Sequence, residues 1–382
     1  MRHFESKDTS RFVRVWDLPT RLFHWLLVVA VVTALCTELV ASPTWLDWHV
    51  VAGYIVAGLL LFRFVWAAFG SEYSRLDRLF YRPRQTIGYL RDLLRGRPAQ
   101  YLGHNPAGAV MILAFLAVLA GLVCTGLATL GGQEKQGPFA GVTSFAVGSG
   151  ARSVHSVLAY TLMGMIGVHI AGVLIDRRLH KSALIRAMIT GWKRVPAQLS
   201  VASPRFTRIP AATIAFSVSS ASATIALILL SRLPPLGVPA MTPDRAWLSE
   251  CGSCHGAFHP SLLPRASWAV IMAGLRDHFG EDASLPPASA AEIGAFLQDY
   301  AAEAWDTKAA RRVAEVAPSD PLRITAAPYW LRRHRRIDPS IFTSPAVKAK
   351  SNCGACHRDA ESGRFDNQAI AIPEIPPAGA KS

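Results

Sequence analysis

The stretch SVHSVLAYTLMGMIGVHIAGVL, residues 153–174, decides how the rest of the chain is read. About 20 apolar residues suffice for a helix to cross the hydrocarbon of a bilayer, and this run is long enough. It nevertheless carries two imidazoles, His155 and His169. An ionisable side chain inside a span is costly and by default marks function. Fourteen residues of α-helix rise about 21 Å and return to nearly the same face. One face of this helix is therefore expected to present an imidazole near each membrane surface.

Comparable apolar runs cover roughly 22–40, 49–69, 107–130 and 211–231, which gives five predicted spans. The last, AATIAFSVSSASATIALILL, is rich in Ala and Ser, a composition suited to close helix packing; a soluble helix is its alternative reading. Composition agrees with a membrane protein: of 382 residues 51% are hydrophobic and 17% charged, and the mean hydropathy is +0.25. The net charge of +14 is unevenly placed. Residues 1–239 hold 24 Lys and Arg against 10 Asp and Glu, whereas 240–382 hold 16 of each. The basic residues lie between apolar runs, which fits membrane topology and excludes a nucleic-acid-binding domain.

Seven Arg fall in 70–106 and eight Lys or Arg in 176–210, while 131–151 has only Lys135 and 41–48 has no basic residue. Basic loops stay in the cytoplasm, so the N-terminus is predicted inside, with the first apolar run as an uncleaved anchor. Trp45 and Trp48 then belong to the outer interface. Five spans put residues 240–382 in the periplasm of a bacterial inner-membrane protein, beyond the Pro-rich spacer RLPPLGVPAMTP, 232–243. Two further histidines match the first pair by depth. His49 opens the second span at the outer side and pairs with His155; His24 opens the first at the inner side and pairs with His169. Two six-coordinate, non-covalent haems b stacked across the bilayer would follow. Arg63 lies fourteen residues beyond His49 on the same face, where it would meet a haem propionate or snorkel to the surface. Asn105 and Pro106 form a helix start, beside which His104 is a weak candidate for quinone protonation. Cys36 and Cys124, inside apolar runs, read as small buried thiols.

Residues 251–255 read CGSCH and 353–357 read CGACH. In such a motif the two thiols form thioethers to haem vinyl groups and the adjacent histidine takes an axial position on the iron. Cys251, Cys254, Cys353 and Cys356 are thus predicted attachment points for two haems c, with His255 and His357 as proximal ligands. A zinc site from two CxxC pairs is the competing reading, as is a disulfide at each pair, but neither requires the two histidines. For the sixth positions, His259 stands only about one helical turn beyond His255, too near to wrap to the opposite face of its own haem, which leaves it the neighbouring haem or a polar contact. His278 follows Trp268, Ile271 and Leu275 at helical spacing and His334 follows Trp330 by four, so these two are the expected distal ligands, unassigned between the haems. Arg332, Arg333, Arg335 and Arg336 around His334 would neutralise propionates, dock an acidic partner or form a solvated face.

Two families are recognisable in these segments. RVWDLPTRLFHW (14–25), LDWHVVAGYIVAGLLLFRFVWAAFG (46–70), YLGHNPAGAVM (101–111) and the opening stretch resemble the bacterial cytochrome b-561 and nickel-iron hydrogenase b-subunit group. That resemblance implies two haems b in a four-helix bundle exchanging electrons with quinone. WLSECGSCHGAFHPSLLP, LRDHFGEDASL, PYWLRRHRRI and SNCGACHRDAESG, within 247–373, resemble the periplasmic dihaem cytochrome c family, which implies a small, mainly helical, loop-rich carrier domain. The expected fold is all-α: a diheme four-helix membrane bundle over 1–200, a fifth transmembrane helix and linker over 201–239, and a diheme c-type domain over 240–382. The expected function is electron transfer between the quinone pool and a soluble periplasmic cytochrome or other redox protein. Reverse flow from a periplasmic dehydrogenase or hydrogenase, or a haem-based sensor with an open c-haem, are the rivals. Membrane lipid is the expected surroundings, and a homodimer is an option.

Overall fold

The structure, a computed structural model, describes residues 10–39, 45–180, 183–196, 210–230, 232–233 and 235–373. Residues 1–9 and 197–209, with Arg205, Arg208 and the expected boundary at 200, lie outside the described residues, as do 40–44 and Lys181. The chain forms two compact units. One comprises Met1–Leu127 and Ala151–Ser231, the other Ala128–Gly150 and Arg232–Ser382. The loop 128–150, which the sequence reading places in the first domain, therefore packs with the second.

The first unit contains β1 (Ser10–Arg14), α1 (Leu18–Leu39), α2 (Leu46–Phe69), α3 (Pro83–Leu94), most of α4 (Pro106–Thr129) and of α5 (Phe145–His180), α6 (Leu184–Thr190), β2 (Trp192–Pro196) and α7 (Pro210–Leu230). Among the described residues, four helices are long and apolar enough to cross a membrane: α1, α2, α4 and α5. Their shared core is apolar, with Ala30, Val56, Leu60, Leu116, Leu119 and Leu162 all buried. The opposite faces are apolar too and exposed, as at Val29 (63%) and Val157 (65%). A helix apolar all round needs lipid on its outer face. For the same reason Cys36 and Cys124 are exposed and not buried as expected: they sit on faces turned away from the core. Helix α7, 21 residues long, packs on α2. Gly58 permits this approach, since a Cβ there would stand 2.1 Å from Thr224 Oγ1.

Asn105 starts α4 as its sequence implies, with its Oδ1 accepting the Gly108 N–H at 2.7 Å and Pro106 in the first turn. At the basic-loop end, β1 and β2 form a two-stranded antiparallel sheet that pairs Phe12 with Arg194. Beside it Asp17 is buried and accepts hydrogen bonds from Thr20 N (2.7 Å), Ser74 Oγ (3.0 Å), Trp66 Nε1 (3.1 Å) and Ser71 Oγ. Burial pushes the Asp17 carboxyl up, but these donors outweigh it and hold the group below its usual range.

The second unit has short helices separated by loops: α8 (Arg245–Cys251), α9 (Arg265–Ala273), α10 (Pro287–Asp299), α11 (Lys308–Val313), α12 (Pro328–His334) and α13 (Pro339–Thr343). Side chains cap several of them: Asp244 accepts from Trp247 N at 2.6 Å, Thr307 from Ala310 N at 3.3 Å and Asp338 from Ser340 N at 2.9 Å. One core unites Trp247, Leu262, Trp268, Ile293, Leu297, Trp330 and Phe342. Cys251, Ala355 and Cys356 pack against it, so both CxxCH segments border the same apolar interior.

Candidate functional site

Each CxxCH histidine faces one of the two distal candidates. The ring centroids of His255 and His278 are 6.1 Å apart with planes 27° from parallel. Those of His357 and His334 are also 6.1 Å apart, at 69°. In the membrane unit His49 and His155 repeat the separation, 6.1 Å at 66°. Imidazole nitrogens bind a metal at about 2 Å, so two rings on opposite sides of one metal ion place their centroids about 6 Å apart. Three pairs match that figure. His24 and His169 lie within electrostatic range of each other; His169 packs edge-on against Phe115 at 5.8 Å.

The other ring nitrogen of these histidines is mostly engaged. His255 Nδ1 lies 2.9 Å from the Gly256 carbonyl, His334 Nδ1 2.8 Å from that of Trp330, and His49 Nδ1 3.0 Å from that of Ala34. Carbonyls only accept, so each Nδ1 carries the proton and donates it. Thr125 Oγ1 gives its own proton to the Gly121 carbonyl at 2.7 Å and accepts from His155 Nδ1 at 3.0 Å. In all four rings Nε2 is the nitrogen with a free lone pair, which is what a metal site requires. His24 Nδ1 and His357 Nδ1 are buried with no hydrogen-bond partner, an arrangement that is costly unless something else satisfies the ring.

His278 reaches its position differently from the expectation. Helix α9 ends at Gly274, so no continuous helical stripe carries His278. Instead a single 3-10 turn, Leu275–Asp277, and a bridge between His278 and Glu281 swing the ring round. His334 ends α12 as the four-residue spacing implies, stacked on Trp330 at 4.2 Å. Burial lowers the pKa of His278, His334 and His357, each further depressed by neighbouring positive or imidazole groups.

His259 has another role. It is 2% exposed, its Nδ1 is 2.8 Å from Ser261 Oγ, and its ring meets Trp305 edge-on at 4.7 Å. Gly363, at φ +68°, lies so close that a Cβ would be 2.4 Å from His259 Nδ1. His259 thus joins the region of the first CxxCH to the segment after the second. Burial drops its pKa to about 4, and it stays neutral at ordinary pH.

Arg63 does not snorkel. It is 4% exposed and donates Nη1 to the Ser74 carbonyl at 2.8 Å. His104 is buried against Trp16, ring centroids 4.6 Å apart, and burial, Arg63 and Lys193 drop its pKa to about 3. The Asp17 cluster around this end was not anticipated. Its signal lay in the polar residues Asp17, Ser71 and Ser74 flanking two spans. Of the four arginines around His334, all are exposed, and Arg333 Nη2 donates to Asn367 Oδ1 at 3.0 Å.

Among the described residues the six cysteines are all free thiols. Burial raises the pKa of Cys251 and lifts that of Cys353 to about 11. Among the described residues no group of three or more His, Cys, Asp or Glu side chains could hold a metal ion, so the two CxxC pairs do not converge on a zinc site. Each cysteine pair instead accompanies a facing pair of imidazoles, which is the donor set a covalently attached haem needs.

Comparison with known proteins agrees with this division. The family model of prokaryotic cytochrome b561 matches residues 15–191, and that of dihaem cytochrome c matches 247–365. A probable Ni/Fe-hydrogenase B-type cytochrome subunit of Cupriavidus necator is 24% identical over 220 residues, 49% of this chain and 89% of that protein. The corresponding hydrogenase 1 subunit of Escherichia coli K12 is 24% identical over 212 residues, covering 47% of this chain and 89% of that one. Among solved structures, dihaem cytochrome c from Rhodobacter sphaeroides is 36% identical and matched over its whole length, which is 33% of this chain, with a TM-score of 0.29. The diheme cytochrome c of Shewanella baltica is 33% identical, covering 35% of this chain and 95% of that one, with a TM-score of 0.28. These families bring b-type and c-type haem respectively. The chain is a membrane electron-transfer cytochrome that joins a prokaryotic cytochrome b561 domain, residues 15–191, to a dihaem cytochrome c domain, residues 247–365.

Proposed function

We propose that the protein carries two haems b and two haems c and moves electrons between the quinone pool and a soluble redox protein of the periplasm. His49 with His155 and His24 with His169 would hold the haems b. Cys251, Cys254, His255 and His278 would hold one haem c, and Cys353, Cys356, His357 and His334 the other. The observation that carries this reading is the 6.1 Å separation shared by three histidine pairs. Bound haem iron supplies one-electron chemistry, cycling between ferric and ferrous. Two imidazoles per iron leave no open position, which favours electron transfer over ligand sensing, and they set lower potentials than a histidine and methionine pair would. Arg63, with its charge buried near Asp17, remains the proposed partner for a propionate.

The proposed topology places the N-terminus and basic loops in the cytoplasm and the dihaem c domain in the periplasm. Its support is that the loop 128–150, an outer loop by charge, belongs to the same compact unit as the c-type domain. Quinol oxidation with delivery to the periplasm is the favoured direction. The relatedness to hydrogenase cytochrome subunits supports the reverse reading, in which a periplasmic dehydrogenase or hydrogenase reduces the haems c and quinone is reduced in the membrane. Mixing the purified protein with a short-chain quinol separates them: reduction of b- and c-type haem supports the favoured direction, and reduction of neither contradicts it.

A further inference from the structure

The Pro-rich segment 232–243 has the composition of a semi-rigid tether, on which a carrier domain could swing between donor and acceptor. The second unit is built otherwise. Two ion pairs join the α4–α5 loop to the start of α11 and the turn before it. Lys308 Nζ reaches both carboxylate oxygens of Glu134, at 2.7 and 2.6 Å, and each side chain is 13% exposed. Lys135 Nζ lies 2.6 Å from Asp306 Oδ2, its own side chain 6% exposed.

Further contacts lock the same surfaces. Asp306 Oδ2 also accepts the Phe145 N–H at 2.8 Å, and Arg312 stands over the Phe145 ring at 5.4 Å while donating to Ser149 Oγ at 3.1 Å. The tether itself is stitched down: Leu236 N donates to the Lys135 carbonyl at 3.0 Å. Gly237 touches Gly141 so closely that a Cβ would be 2.6 Å from the Gly141 Cα. Within the loop, Gly132 and Gly148 meet backbone to backbone. Lys135 adopts a left-handed φ of 54°, a conformation that non-glycine residues keep only where the surroundings over-determine it. Exposed ion pairs are weak and salt-sensitive, but the Lys308–Glu134 pair is desolvated on both sides, and in the second pair Lys135 is buried while Asp306, 36% exposed, is held by further hydrogen bonds.

We propose that Glu134, Lys135, Asp306 and Lys308 are positioning residues that make the dihaem c domain a relay fixed to the α4–α5 loop, and not a carrier swinging on its tether. This rests on the reading that electrons pass between the b- and c-type haems, one iron being oxidised as another is reduced. The test uses the full-length, haem-loaded protein. A flash-generated deazaflavin radical, a soluble one-electron donor, injects an electron whose redistribution between c- and b-type absorption bands is followed. Hydrogen exchange of 130–149 and 305–313 is measured in parallel.

In the native chain both segments are protected, and the redistribution rate does not change as glycerol raises the viscosity. Lys308→Glu speeds exchange in both segments and slows redistribution, each by about tenfold, with haem content and c-haem potentials retained. Adding Glu134→Lys restores both. A native rate that falls in proportion to viscosity, or a Lys308→Glu protein with unchanged exchange and rate, overturns the proposal. If Lys308→Glu loses haem, the native viscosity dependence still decides. Absence of any redistribution in the native chain contradicts the functional reading, whereas the exchange protection reports on the latch independently.

Discussion

An imidazole serves as a metal ligand when one nitrogen is held by a hydrogen bond and the other is aimed at the metal. The carbonyls of Gly256, Trp330 and Ala34 and the Thr125 hydroxyl do this for four of the eight proposed ligands. His278→Ala is therefore expected to open one position on one haem c, so that carbon monoxide binds about half of the reduced c-type haem and none in the native protein. His334→Met, which replaces imidazole by a thioether, is expected to raise the potential of the other haem c in a redox titration. Away from the iron, His259 stabilises the fold as a neutral ring. Its pKa falls from an unfolded value near 6.5 to about 4, so the unfolded chain takes up the proton first. Stability is complete above about pH 6.5 and is lost as pH falls toward 4, by roughly 3 kcal/mol in all. Replacing His259 by Asn is expected to flatten that acid limb in thermal melts of the holoprotein. Gly363→Ala forces both a left-handed alanine and a clash with His259, and a cost of about 1–3 kcal/mol is expected.

At the scale of elements, glycine decides two outcomes. Gly58 lets α2 and α7 touch at Thr224, and Gly58→Leu is expected to lower the melting temperature of the purified protein by wedging them apart, about 1–3 kcal/mol of overpacking. Gly274 ends α9 and so sends His278 into a turn. That is where sequence reading reached its limit. Apolar length located α1, α2 and α4 to within a few residues, because hydrocarbon thickness imposes length directly, whereas α5 runs seven residues before and five beyond the expected 152–175. The CxxCH spacings and the fourteen-residue interval between His155 and His169 were equally legible, since each encodes a local geometry. His334 was placed by its distance from Trp330. Helical spacing predicts His278 on a stripe of α9, but the helix ends before it, and a tertiary turn brings His278 beside His255. The β1–β2 sheet leaves no local signal, because SRFVR and WKRVP are short and lie far apart in the chain. The assignment of 128–150 to the second unit depends on contacts made by Asp306 and Lys308, which no local pattern announces.

For the whole molecule, the division of charge, the apolar bundle and the paired imidazoles converge on one architecture. A cytochrome b561 domain with apolar, lipid-length helices is continuous with a loop-rich domain bearing both CxxCH motifs. Of the twelve histidines, six form three facing ring pairs, His24 and His169 are the proposed fourth pair, and His259 and His104 are committed to packing. The central claim, four six-coordinate haems in a ratio of two b to two c, is tested most directly by a pyridine haemochrome assay on the purified protein combined with a spectroscopic redox titration. The account predicts equal amounts of b- and c-type haem, four one-electron transitions and low-spin spectra that carbon monoxide leaves unchanged. An excess of c over b haem, or a large fraction of reduced haem binding carbon monoxide, would contradict it.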